Sequence, residues 1–128
     1  MISNSSTLHI IDNSGVRYIK IIKFYKKTPF SHITVGNLFI GSIQDIKIRK
    51  KSKIKKLNNG DLKKSILVRV KKPIVRVDGS TINFFENSAV LVDNKKKPLA
   101  TRIIGFLPID LKKTKRLKVL LLSDGAFL

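Results

Sequence analysis

Residues 61–70 read DLKKSILVRV. In an extended chain Ile66, Val68 and Val70 fall on one face and Leu67 and Arg69 on the other, which suits a barrel strand with one side toward a core. Upstream lies Asn58-Asn59-Gly60-Asp61 and downstream Val77-Asp78-Gly79-Ser80, with further turn signatures at Asp12–Gly15 and Val92–Pro98. Asn-Gly and Asp-Gly pairs supply the positive φ that tight hairpins demand. Between these turns, β-branched runs predict strands at Thr7–Ile11, Val16–Phe24, Asn37–Ile48, Leu62–Val70, Ser88–Val92 and Lys118–Leu122. Shorter pieces are predicted at Ile74–Val77 and Ile82–Phe84. The one helix candidate is PIDLKKTKR from Pro108, where the proline suits a first turn and Asp110 complements the N-terminal dipole. The pattern is that of a mostly-β domain.

The chain has 128 residues, 42% of them hydrophobic, enough for one domain with a modest core. No repeat or low-complexity linker divides it. A formal charge of +19 makes the folded surface repel itself unless a polyanion neutralises it, and nucleic acid is the expected partner. With no cysteine, disulfides, thiol catalysis and cysteine-based zinc sites are excluded. No apolar run approaches the roughly 18 residues of a membrane span, so no membrane insertion is expected. The N-terminus lacks the pattern of a signal or transit peptide. Lysine greatly outnumbers arginine, isoleucine and asparagine are abundant, and Glu86 is the sole glutamate, the imprint of an A/T-rich genome.

Catalytic constellations are thin. Asp12 and Asp78 each sit in a turn signature, where an aspartate caps local N–H groups. His9 and His32 have no metal-ligand spacing, and no glycine-rich phosphate loop occurs. No enzyme, cofactor or metal is expected. Charge carries the functional signal instead. KIRKKSKIKK, residues 47–56, has seven cations in ten positions and reads as the arm of a long hairpin. A second patch groups Arg69, Lys71, Lys72 and Arg76 around Pro73, and a third groups Lys112, Lys113, Lys115, Arg116 and Lys118. Three patches on a small domain imply anionic contacts on more than one side. Of the adjacent Phe84 and Phe85, one is expected in the core. Without an aromatic stacking platform, recognition of folded RNA through its phosphates is favoured over single-strand readout.

Residues 65–105, SILVRVKKPIVRVDGSTINFFENSAVLVDNKKKPLATRIIG, closely resemble the large-ribosomal-subunit protein fourteen family, the universal L-fourteen proteins. The resemblance rests on the apolar triplet Ile66–Val68 followed by Arg69, Lys71 and Lys72, then Asp78–Ser80, Phe84, Asn87, Val90 and Leu91. DNSGVR at Asp12–Arg17, VGN at Val35–Asn37, NGD at Asn59–Asp61 and TRIIG at Thr101–Gly105 extend it over essentially the whole chain. Ser65 and Ala100 replace other small residues, while GFLPID departs from the family, with Phe106 where a proline is usual and Ile109 where a basic residue is usual.

The resemblance implies a small five-stranded β-barrel with a projecting ribbon and a short C-terminal helical region, in one domain with a basic arm at 47–61 and a basic helical segment at 106–117. It implies a structural constituent of the large ribosomal subunit that binds large-subunit rRNA and meets small-subunit rRNA across the interface. The expected rRNA contacts are Arg17, Lys47, Arg49, Lys50, Lys51, Lys53, Lys55, Lys56, Arg69, Lys71, Lys72 and Arg76. The interface falls to Lys112, Lys113, Lys115 and Arg116, and docking of a ribosome-silencing factor to Thr101, Arg102 and Lys118. Ribosomal proteins nineteen and three are the expected neighbours. The composition suggests an organelle-encoded, mitochondrial copy, with a plastid-type organelle or an A/T-rich bacterium as alternatives. The competing functions are a free RNA-binding barrel acting as chaperone or regulator, and an enzyme that holds a phosphate substrate.

Overall fold

The structure is a computed structural model that describes residues 2, 5–25, 33–47 and 57–127. Five strands close a barrel: β1 (Thr7–Ile10), β2 (Val16–Phe24), β3 (Leu38–Ile46), β4 (Leu62–Arg69) and β7 (Ser88–Val92), in the order β1-β2-β3-β4-β7. Neighbours are antiparallel except at the seam, where β1 runs parallel to β7 through His9↔Ser88 and Ile10↔Ala89. A hairpin of β5 (Ile74–Val75) and β6 (Thr81–Ile82) follows β4.

Alternation along the strands sends Leu8, Ile19, Ile43, Phe39, Leu67, Ala89 and Leu91 inward, where all are buried. Gly41 belongs to this set because a Cβ there would stand 2.6 Å from Ile19 Cγ1. The seam is short, and the buried Asp12 lengthens it: its Oδ2 accepts the Leu91 N–H at 3.1 Å, while Oδ1 accepts the Ser14 N–H at 3.1 Å and the Ser14 hydroxyl. The predicted turn aspartate therefore also supplies an acceptor to β7 where β1 has ended.

β4 is buried on both faces, not one, since Ile66 and Val68 are as enclosed as Leu67. The second face is covered by the C-terminal segment, which contributes Ile103, Leu107, Leu111 and Val119 to the core. In that segment β8 (Phe106–Pro108) leads to α1 (Asp110–Lys113), α2 (Leu117–Leu121) and β9 (Gly125–Phe127), and β8 and β9 pair in parallel. The strand expected at Lys118–Leu122 is thus helix α2. A short apolar run satisfies either period, and here a helical turn buries Val119 while Leu120 and Leu122 pack on the core. Within 106–117 the helical residues are Asp110–Lys113 and Leu117, which opens α2, and Pro108 lies in β8 instead of a first turn. Phe84 is half-buried beneath Arg69 and Phe85 is fully exposed, so neither joins the core.

Candidate nucleic-acid interface

Electrostatics of the surface follow from how few acids there are and how each is used. All eight acidic residues are engaged inside the protein. Asp12 and Asp61 accept backbone N–H groups, as do Asp78 and Asp93 in the turns that they open. Asp45, Glu86, Asp110 and Asp124 pair with Arg17, Arg69, Arg76 and Arg102, respectively. The carboxylates are therefore spent on turns and on arginines. Lys113 stands near a carboxylate as well, Asp110 at 3.7 Å.

Arg69 leaves β4 at a register shift between Leu67 and Arg69, which turns its side chain toward the C-terminal segment. Its guanidinium donates from Nε to the Phe106 carbonyl at 3.0 Å and from Nη2 to the Ile104 carbonyl at 2.8 Å, with Glu86 at 3.4 Å. Burial lowers its pKa and Glu86 opposes that shift. Gly105, at φ +85°, leaves room for this fork, since a Cβ there would lie 3.3 Å from Arg69 Cζ and nearer still to Nη2. Arg76 makes a comparable bond, giving Nε and Nη2 to Asp110 Oδ2 at 3.3 and 2.9 Å with both side chains largely enclosed. It ties the β5-β6 hairpin to α1.

The other expected RNA contacts divide by position. Lys71 and Lys72 are exposed just beyond β4, where Asn87 Oδ1 accepts the Lys71 N–H at 2.9 Å and fixes the backbone. Arg17 is half-exposed beside Asp45 at 3.8 Å. Lys47 is exposed at the end of β3, and its N–H reaches the Gly15 carbonyl at 2.7 Å. Arg49, Lys50, Lys51, Lys53, Lys55 and Lys56, with His32, lie outside the described residues.

Lys112, Lys113 and Lys115 are exposed around the end of α1, whereas Arg116 turns inward and donates Nε to the Gly36 carbonyl at 3.3 Å. Gly36, at φ +89°, has the Thr114 side chain where a Cβ would stand, which brings the two segments together. Thr101 and Arg102 are organised by a residue that sequence reading passed over. Asn13 Oδ1 accepts both of their N–H groups, at 3.1 and 3.3 Å, and Asn13 Nδ2 donates to Thr101 Oγ1 at 3.0 Å. The Ile103 N–H meets the Leu122 carbonyl and Arg102 approaches Asp124 at 3.7 Å, so this segment runs beside the end of α2, on which Lys118 is exposed.

Among the described residues no group of three or more His, Cys, Asp or Glu side chains could hold a metal ion, and no helix is long and apolar enough to cross a membrane. The site offers cationic surface on a rigid barrel. Comparison with known protein families gives a match to the one described as ribosomal protein L14p/L23e over residues 1–126, and the chain belongs to that family.

Proposed function

We propose, from its membership of this family of large-subunit ribosomal proteins, that the protein is a structural element held on large-subunit rRNA by lysine contacts to phosphate. The observation that carries this reading is that each carboxylate is engaged by a backbone N–H or an arginine while the chain carries a formal charge of +19, an excess that favours an external polyanion. Lys47, Lys71, Lys72 and the basic run through Lys56 are the proposed rRNA contacts, with Arg17 beside them. Arg69 and Arg76 act on the same surface by bracing it. Lys112, Lys113 and Lys115 face small-subunit rRNA across the subunit interface, with Arg116 holding their segment against Gly36. Thr101, Arg102 and Lys118 form the docking surface for a silencing factor on the free subunit, and proteins nineteen and three are its neighbours. The A/T-biased composition favours an organelle-encoded copy on a mitochondrial ribosome.

Binding of the isolated protein to a structured rRNA fragment tests the reading. If roughly six cations release counterions, log affinity falls with log salt at a slope of about −4 to −5. A slope near zero refutes it. Salt-washed sedimentation separates the alternative, because one-to-one retention on the large subunit is expected here and an rRNA-free pool marks a free chaperone or regulator.

A further inference from the structure

Tyr25 stands just beyond β2, its N–H bonded to the Leu38 carbonyl at 3.1 Å and its side chain about half exposed. Two recesses in the barrel's outer surface share it as a wall. One, of about 390 Å³, is lined by apolar side chains such as Ile40 and Leu99 together with Lys63, Lys64 and Asp93. The other, of about 440 Å³, includes Lys96 and Arg116. Lys64 Nζ lies over the Tyr25 ring, 5.4 Å from its centroid. Cations from three separate segments, Lys63 and Lys64 of β4, Lys96 of the 93–97 turn and Arg116 of the α1–α2 link, thus line the recesses that share this exposed ring.

We infer that this double recess binds a short unpaired stretch of RNA that crosses Tyr25, with a base against the ring and phosphates among Lys63, Lys64, Lys96 and Arg116. Each recess has the size of a small-ligand pocket, and an aromatic ring beside cations is the common solution for holding unstacked bases. Arg116 is pre-positioned because its Nε is fixed on the Gly36 carbonyl, which leaves the terminal nitrogens of its planar fork for a phosphate.

Asp93 adds selectivity. Its Oδ1 accepts the Lys95 and Lys97 N–H groups, both at 2.9 Å, and Oδ2 has no partner among the described residues. A carboxylate oxygen in the recess accepts from the amino groups of adenine, cytosine or guanine and faces only acceptors and one imide N–H on uracil. An acidic peptide offers neither an amino-bearing base for this oxygen nor a flat π-face for the Tyr25 ring, which is why RNA is favoured over an acidic protein segment.

The inference rests on the ribosomal reading, and one experiment tells their failures apart. The full chain, wild type and with Tyr25→Leu or Tyr25→Phe, is titrated at low salt with single-stranded tetranucleotides of A, C or U. The structured rRNA fragment and a hexa-aspartate peptide are run in parallel. Loss of a stacked base predicts tetra-A and tetra-C binding weakened roughly 5- to 100-fold by Tyr25→Leu and retained by Tyr25→Phe. Tetra-U is expected to bind more weakly to the wild type. Equal binding by Tyr25→Leu, or equally tight and Tyr25-dependent binding of hexa-aspartate, overturns the inference. If the structured fragment still binds with its steep salt slope, only the recess assignment has failed; if it does not, the ribosomal reading has failed as well. Circular dichroism of each variant confirms that the barrel is intact.

Discussion

Replacing Arg69 by Met and Gly105 by Ala, singly and together, tests whether Arg69 is a brace or an RNA contact. Met keeps the stem that packs near Phe84 but removes the donors to the Ile104 and Phe106 carbonyls and the pair with Glu86. A charge-assisted hydrogen bond contributes about 1.5–3 kcal/mol net, and part of that is offset by the desolvation of the guanidinium, so Arg69→Met is expected to cost about 2–4 kcal/mol. For a chain of this size that lowers the thermal midpoint by roughly 10 °C. Gly105→Ala carries two penalties. A Cβ at φ +85° costs about 1–2 kcal/mol, and the methyl occupies the space of the guanidinium, so most of the Arg69 clamp is lost too. The single substitution is expected to cost about 3–6 kcal/mol. In the Arg69→Met background only the backbone penalty of about 1–2 kcal/mol remains, and the double mutant is more stable than additivity allows by about 2–4 kcal/mol. Urea denaturation of the four proteins measures this coupling. Additivity within about 0.5 kcal/mol refutes the brace. Unchanged stability of Arg69→Met with weakened rRNA binding would return Arg69 to the list of direct contacts.

Ser65 and Ser88 hold hydroxyls that are buried without a hydrogen-bond partner, so Ser65→Ala is expected to raise stability by about 1 kcal/mol, read as a higher urea midpoint; a loss of stability contradicts it. Gly79 sits at φ +85° with open space around its Cβ position, so Gly79→Val costs roughly 1–3 kcal/mol through backbone strain alone, and unchanged thermal stability with lost rRNA binding would make it a contact residue. The Ser80 hydroxyl and N–H hold the Asp78 carboxyl below the ordinary aspartate range, so its small contribution is present above the ordinary pKa and is lost as pH falls through the depressed folded value. Ser80→Ala is expected to move that titration upward in carboxyl-carbon NMR, and an unmoved midpoint disproves the assignment. Replacing Lys50, Lys51, Lys53 and Lys55 by Gln is expected to reduce mature large subunits in a sedimentation gradient. The same change at Lys112, Lys113 and Lys115 leaves large subunits normal but joined ribosomes fewer, and identical profiles would defeat the distinction.

The barrel was legible because its strands carry their evidence locally. β-Branched runs in Leu62–Arg69 and Val16–Phe24, each preceded by a turn with glycine at positive φ, locate them to within a residue or so. The C-terminal segment was not legible because its structure is decided at a distance. β8 and β9 are three residues each and exist only by pairing with one another across both helices, while Leu117–Leu121 is a helix because one turn places Val119 against a core built by other segments. The second buried face of β4 is the same effect seen from the barrel. Alternation reveals one apolar face, and the cover on the other comes from residues about forty positions away.

The basic surface was legible as charge but not as a division of roles, and the chemistry of the two cations explains why. A guanidinium forms several directed bonds in one plane and is weakly hydrated, so it tolerates burial against carbonyls or a carboxylate; an ammonium is strongly hydrated and favours water or phosphate. In a chain poor in arginine, Arg69 and Arg76 sit where a buried fork is required, and their partners are 17 to 37 residues away. No local pattern discloses such partners, so RVKKPIVR reads as one patch although Arg69 and Arg76 point into the fold and Lys71 and Lys72 point out. Arg69 tethers the C-terminal segment to β4 and Arg76 tethers the hairpin to α1, and the exposed lysines lie on or beside those segments. Under the proposed rRNA-binding role, disturbing a brace is expected to weaken binding through several lysines at once, whereas removing one exposed lysine subtracts a single proposed contact. A count of cations cannot separate these two effects, but the internal partners of Arg69 and Arg76 do.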